Sequence, residues 1–327
     1  MILTQKQISS VAFGATEIYF DKAGAHFYRI RKEQCERIDD YNADFGMKSR
    51  ATAGVRLDFY TDSEFFGFSY TLKNGSSRTF YNFALYIDGK EYALHGESHV
   101  KNFAGEYATA LPAGNKRVTL FLPCLFATTL TSVTLSDGAH VTPYSPKKRI
   151  VFHGDSITHG YDAFSPALCY ANRLAMAFHA EIFNYAIAGE TFNPLMVDEA
   201  NAREANAVVI AYGTNDWKKK PSFSALISDC EAFYTKLRGV YPATPFVAIL
   251  PIWRDGYETD TAVGSLQTVR AEVARIAQKY GATVIDLWDT IPHDLAFFSD
   301  GLHPNDEGFA LYAKGVQPTL SAILEDK

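Results

Sequence analysis

The sequence predicts an α/β protein, a parallel sheet with helices on both faces, preceded by a β-sandwich of jelly-roll type. Three observations carry this. Up to about residue 145 the chain runs as short apolar or alternating segments rich in β-branched and aromatic residues, divided by turn signals. Beyond it, apolar strands alternate with helical stripes, the pattern of a parallel sheet covered on both sides. Pro143, Pro146 and the polar run Ser145-Pro146-Lys147-Lys148 lie where the rhythm changes, which divides the chain into domains 1–145 and 146–327. A length of 327 residues suits two domains at about 100–200 residues each.

In the first domain, Val55-Arg56-Leu57-Asp58-Phe59-Tyr60 and Arg117-Val118-Thr119-Leu120-Phe121-Leu122 read as strands. Asp88-Gly89 separates two more, Phe83 to Ile87 and Glu91 to Leu94, as a tight hairpin would. Asn74-Gly75 and Ala113-Gly114-Asn115 mark further turns. No amphipathic helix is expected before residue 146. In the second domain the strands are Arg149 to Gly154, Glu181 to Ile187, Ala207 to Gly213, Pro245 to Pro251 and Ala282 to Trp288. Between them, Leu226, Cys230, Phe233 and Leu237 form one helical stripe, and Leu266, Val269, Val273, Ile276 and Tyr280 another.

Composition narrows the function. A net charge of −6 speaks against a nucleic-acid binder, which usually shows a basic face. The longest basic cluster, Lys218-Lys219-Lys220, reads as a solvated helix start before Pro221. No stretch approaches the roughly 18 apolar residues of a membrane span, and the first residues lack the apolar core of a secretion signal, so a cytoplasmic location is expected. The four cysteines (Cys35, Cys124, Cys169, Cys230) are scattered, which suggests thiols. No Cys/His cluster has zinc spacing, so no metal or other cofactor is expected. Composition leaves a homo-oligomer open.

In an open parallel sheet, ligands sit outside the carboxyl ends of the strands. The first strand of the second domain ends in Gly154-Asp155-Ser156-Ile157-Thr158, where a serine would stand at the mouth of the sheet. The second runs into Asn184-Tyr185-Ala186-Ile187-Ala188-Gly189, whose glycine can present an N–H. The third ends in Gly213-Thr214-Asn215-Asp216, with an amide donor. Near the end stands Asp300-Gly301-Leu302-His303-Pro304-Asn305. An aspartate three residues before a histidine can reach its Nδ1, orienting the ring and leaving Nε2 to act as a base. Each segment alone reads as a cap or a turn; together they supply a nucleophile, two donors and an acid–base pair at one edge of a sheet.

In this order the segments resemble the blocks of the SGNH (GDSL-like) hydrolase superfamily over about residues 149–325, which implies a flavodoxin-like sheet. The resemblance implies Ser156 as nucleophile, His303 as base and Asp300 as its partner. It implies an oxyanion hole built from the N–H groups of Ser156 and Gly189 and the Asn215 amide, with Asp155 shaping the turn. The leading sandwich resembles the arrangement of jelly-roll plus SGNH carbohydrate esterases, and also that of certain SGNH acyltransferases. The expected substrate is therefore a small-molecule or oligosaccharide ester, with O-acetylated sugars first. An acyltransferase, a general short-chain esterase or lipase, and a non-catalytic glycan binder are the alternatives. Trp253, Trp217, Tyr161 and Phe192 follow the strand ends and are candidates for substrate contact, with ordinary packing the competing role. His153, His159 and His293 are expected to be structural, and Arg254 and Asp255 surface charges.

Overall fold

The computed structural model describes residues 1–325. It divides into two compact units, Met1–Lys147 with Phe164–Ala167, and Lys148–Ala163 with Leu168–Lys327.

The first unit is built on two antiparallel sheets. One orders its strands Ala12–Phe13, Arg56–Thr61, Lys116–Phe121, Tyr81–Ile87 and Lys90–Glu97, with Thr142–Pro143 also pairing Arg56–Thr61. The other orders Glu17–Asp21, Gly24–Tyr28, Phe126–Leu135, Phe65–Asn74 and Ala104–Ala110. Aromatic rings from the two sheets meet between them: Phe59 lies 6.4 Å from Phe66, and Phe68 lies 4.9 Å from Phe83. The Asp88-Gly89 turn has φ of 50° and 79°, the left-handed pair that a two-residue hairpin requires.

Three helices in this unit correct the expectation of none: Gln5–Val11, Lys32–Tyr41 and Ala43–Ser49. Their apolar stripes are too thin to read. The first buries only Ile8 and Val11, and is started by a capping box between Thr4 and Gln7. The second hides Cys35 and Ile38 in a run of charge, and Asn42 caps the third through Asp44 and Phe45 N–H.

The second unit holds a five-stranded parallel sheet. In chain order its strands are Lys148–Gly154, Ala180–Asn184, Ala207–Ala211, Phe246–Ile249 and Ala282–Ile285, and in space they lie second, first, third, fourth, fifth. This is the flavodoxin-type order, whose direction of winding reverses between the first and third strands. Tyr170–Ala177 packs against the final helix, Asp306–Glu325, and Phe223–Val240 packs against Leu266–Lys279. In a sheet of this order right-handed crossovers put Tyr170–Ala177 on the face opposite Phe223–Val240 and Leu266–Lys279, and the final helix joins Tyr170–Ala177. The third and fourth strands are buried end to end and the first from Ile150 onward, which is why they read as continuous apolar runs. All four cysteines are buried. Among the described residues no helix is long and apolar enough to cross a membrane.

Candidate active site

The first strand delivers Ser156 through a turn that tolerates no side chain at its hinge. A Cβ on Gly154 would come within 2.3 Å of Thr158 Oγ1 and 2.8 Å of the Ala211 carbonyl. Asp155 caps the short helix Ser156–His159 by accepting from Ile157 N–H at 3.0 Å. The helix stops at Gly160, whose φ is 99°. Ser156 N–H, at the helix start, has no acceptor among the described residues.

His303 arrives from the loop before the last helix. Its Nε2 lies 2.7 Å from Ser156 Oγ, and its Nδ1 lies 2.8 and 3.0 Å from the two carboxylate oxygens of Asp300. Asp300 Oδ1 also accepts from the N–H of Leu302 at 3.1 Å and of His303 at 2.9 Å. These partners assign the hydrogen to Nδ1 and leave Nε2 to accept from the serine hydroxyl. Burial pushes the Asp300 carboxyl up, but the backbone and ring hydrogen bonds and the charge of His303 outweigh it and hold the group down at about 2. The carboxylate is thus ionised wherever the imidazole needs it.

The second strand's continuation turns at Ile187-Ala188-Gly189-Glu190, closed by Glu190 N–H donating to Ile187 C=O at 3.0 Å. Gly189, with φ of 87°, occupies the position of that turn that favours glycine, and its N–H has no acceptor among the described residues. The Asn215 amide, at the start of the helix Thr214–Lys219, spends one N–H on Glu190 C=O at 3.1 Å and keeps its second. Asn184 ties the second strand to the nucleophile turn by donating to Thr158 C=O at 2.7 Å.

Three further groups support this layer without having been given a part in it from the sequence. The basic run closes the helix Thr214–Lys219 instead of starting one, with Lys218 and Lys219 exposed as expected. Lys219 Nζ donates to Gly189 C=O and Lys220 Nζ to Phe192 C=O, so the run pins the glycine turn to the third strand's helix. Asp216 is fully buried and accepts from Phe192 N–H at 3.0 Å. Burial pushes Asp216 up to about 7, and Asp155 likewise. Asp162, two residues beyond Gly160, lies with Oδ2 3.5 Å from His303 Nδ1. No sequence signal marks it, because its partner is 141 residues away (303 − 162). Asp162, Asp300 and His303 bring their polar atoms within 4.8 Å of one another. With the hydrogen assigned to Nδ1, the trio reads as an acid–imidazole cluster.

The four aromatic candidates separate. Tyr161 lies against the site, its ring 5.4 Å from that of His303. Trp253 stacks on His293 at 5.5 Å and packs on Phe298 at 5.1 Å. Trp217 and Phe192 are 0% and 1% exposed, which corrects their candidacy for substrate contact. Trp217 donates its indole N–H to Gly264 C=O, and Phe192 packs among Tyr212, Phe233 and Tyr234. His153 is buried between Tyr185 and Phe233 and pushed down to about 3 by burial, and His159 accepts from Ala188 N–H. Both are structural. Asp255 is exposed, whereas Arg254 is only partly so and donates to Thr214 Oγ1 at 3.2 Å.

With this geometry in place, comparison with known proteins gives the family. A family model described as GDSL-like lipase/acylhydrolase matches residues 152–311. The C-terminal unit is a GDSL-like hydrolase domain. No curated protein matches the chain by sequence. Among solved structures, a salicylyl acyltransferase from a tetracycline biosynthetic pathway aligns with a TM-score of 0.81 at 21% identity, covering 95% of this chain and 94% of its own. A family-two carbohydrate esterase from Clostridium thermocellum, solved with cellohexaose, gives 0.68 at 15% identity, covering 96% and 98%. An acetyl xylan esterase from Butyrivibrio proteoclasticus gives 0.57 at 17%, covering 83% and 90%. At such identities the likeness is one of fold, and the aligned residues extend over both units.

Proposed function

We propose that this GDSL-like hydrolase is a serine esterase that removes short acyl groups, acetyl foremost, from sugars or oligosaccharides. The observation that carries the esterase reading is the unbroken chain from Ser156 Oγ through His303 to Asp300, at 2.7 and 2.8 Å. In this reading Ser156 Oγ attacks the ester carbonyl while its proton passes to His303 Nε2. The charge gathering on the carbonyl oxygen is met by the N–H groups of Ser156, Gly189 and Asn215. His303 returns the proton to the leaving alcohol, and a water activated by the same ring frees the acid. The sugar preference is supported by the two-unit fold shared with carbohydrate esterases and by the aromatic group around Trp253.

The test is a hydrolysis panel of acetyl, butyryl and longer model esters beside acetylated xylo- and manno-oligosaccharides. Acetylated oligosaccharides should be turned over fastest, and Ser156→Ala should abolish all of it. Preference for long acyl chains, or turnover that survives in the alanine variant, would contradict the proposal. Acyl transfer is the second reading, favoured by the fold shared with the salicylyl acyltransferase over nearly the whole chain. Added acceptor alcohols would then divert most of the acyl group from water.

A further inference from the structure

Resting on the serine-esterase reading, we propose that Asp162 is a second acid partner of His303, a positioning residue that shares the imidazolium charge with Asp300. Asp162 Oδ2 faces the same ring nitrogen as Asp300, at 3.5 Å against 2.8 Å. The two carboxylates are placed differently: the Asp162 side chain is 7% exposed, that of Asp300 40%. A charge sheltered from solvent acts more strongly on its neighbour than an exposed one at similar range, so the longer distance does not make Asp162 the weaker influence. Its backbone has φ of 67°, a left-handed conformation uncommon for a non-glycine residue. Such conformations persist where the surroundings hold them, often at functional sites. The adjacent Tyr161 lays its ring against His303 at 5.4 Å, so the same loop contacts the imidazole both by face and by edge.

When Ser156 Oγ bonds to the ester carbon, its O–H bond breaks, a new N–H bond forms at Nε2, and the carbonyl π pair moves to oxygen. The ring is then cationic with both nitrogens protonated. Asp300 alone can hold the Nδ1 hydrogen, but its exposed carboxylate is partly screened by water. Asp162 supplies a protected negative charge on the same edge. The groups that bear on this ring are Asp300 and Asp162 at Nδ1, Ser156 at Nε2, Tyr161 at its face, and the Arg254 cation, which acts on Asp300 and Asp155.

The experiment is the pH profile of kcat/KM on 4-nitrophenyl acetate for the full-length wild type, Asp162→Asn, Asp162→Gly, Asp300→Asn and the Asp162→Asn/Asp300→Asn double variant. Asparagine tolerates the left-handed backbone and glycine relieves it, so the pair separates carboxylate from conformation. Removing a negative charge beside a cation disfavours the cation. Both Asp162 variants should therefore move the acidic limb to lower pH by about half a unit or more. Asp300→Asn should retain activity about 10-fold or more above the double variant, whose loss should exceed the product of the single losses. An unmoved acidic limb in Asp162→Gly, or a double variant no worse than that product, would overturn the proposal. Failure of the esterase reading shows separately, as unchanged turnover in Ser156→Ala.

Discussion

Each unit of the protein contains a carboxylate saturated with donors, and the two are put to opposite use. In the sandwich, Asp58 is fully buried and accepts from Arg56 Nε at 3.0 Å, from Arg117 Nε and Nη2 at 2.7 Å each, and from Thr119 Oγ1 at 3.2 Å. Arg117 in turn lies 3.4 Å over the Tyr144 ring. Its charged partners are permanent cations, so none of them can pass a proton on. In the sheet domain, Asp300 is also well supplied with donors, but one of them is an imidazole whose far nitrogen reaches Ser156. In the proposed reaction that network passes a proton onward, because an imidazole can take up and release one where a guanidinium cannot. The lesson is that satisfaction alone does not distinguish a structural carboxylate from a working one; the ability of a partner to titrate does.

Substitutions should split along this line. Ser156→Ala, at the working end, should lower kcat by on the order of 10⁴-fold or more while leaving the melting temperature within a few degrees, as read from initial rates and a thermal melt. Asp58→Asn should do the reverse. Breaking a buried ion pair costs about 3–5 kcal/mol of stability, which chemical denaturation would report, while the rate per folded molecule stays near wild type. A large activity loss in Asp58→Asn at full folding would break the comparison.

Asn215→Ala removes a donor from the proposed oxyanion site and should lower kcat about 10²–10³-fold, with KM changed far less. Equal effects on both constants would assign the amide to ground-state binding instead.

Buried acids sharpen the contrast through pH. Burial pushes Asp155 and Asp216 up to about 7 in the folded chain, so between about pH 4 and 7 the folded state keeps protons that the unfolded state has released. Their contribution to stability therefore falls as pH rises through that window. Asp300, held at about 2, has the opposite sign: its contribution is present above about pH 4 and is lost as pH falls toward 2. Asp216→Asn keeps an acceptor for Phe192 N–H and removes the titration. It should flatten the decline of melting temperature between about pH 5 and 7. A slope identical to wild type would show that Asp216 does not hold its proton. The smallest effect is expected from EDTA, which should leave turnover unchanged; inhibition reversed by a divalent cation would make the Asp162, Asp300 and His303 cluster a metal site.

The sequence announced the sheet domain because burial on both faces leaves long apolar runs, and it offered Ser156, Gly189, Asn215 and Asp300/His303 as candidates because each lies near a strand or helix boundary in a segment that carries glycine or proline. It concealed what depends on distance along the chain or on the direction of a side chain. The three sandwich helices bury too few residues to leave a stripe. Arg56 and Asp58 look like the solvent face of an alternating strand, yet both are buried. Trp217 and Phe192 follow catalytic segments but turn into the core. Lys219 and Asp162 meet their partners only through the fold.

Intact-mass and peptide analysis after reaction with a fluorophosphonate tests the central claim most directly, since the probe bonds only to a serine whose proton a neighbouring base removes. One adduct on Ser156 in the wild type, slowed severely in His303→Ala, is the predicted result. No adduct on the folded protein, or one on Ser156 that forms as fast without His303, would contradict it.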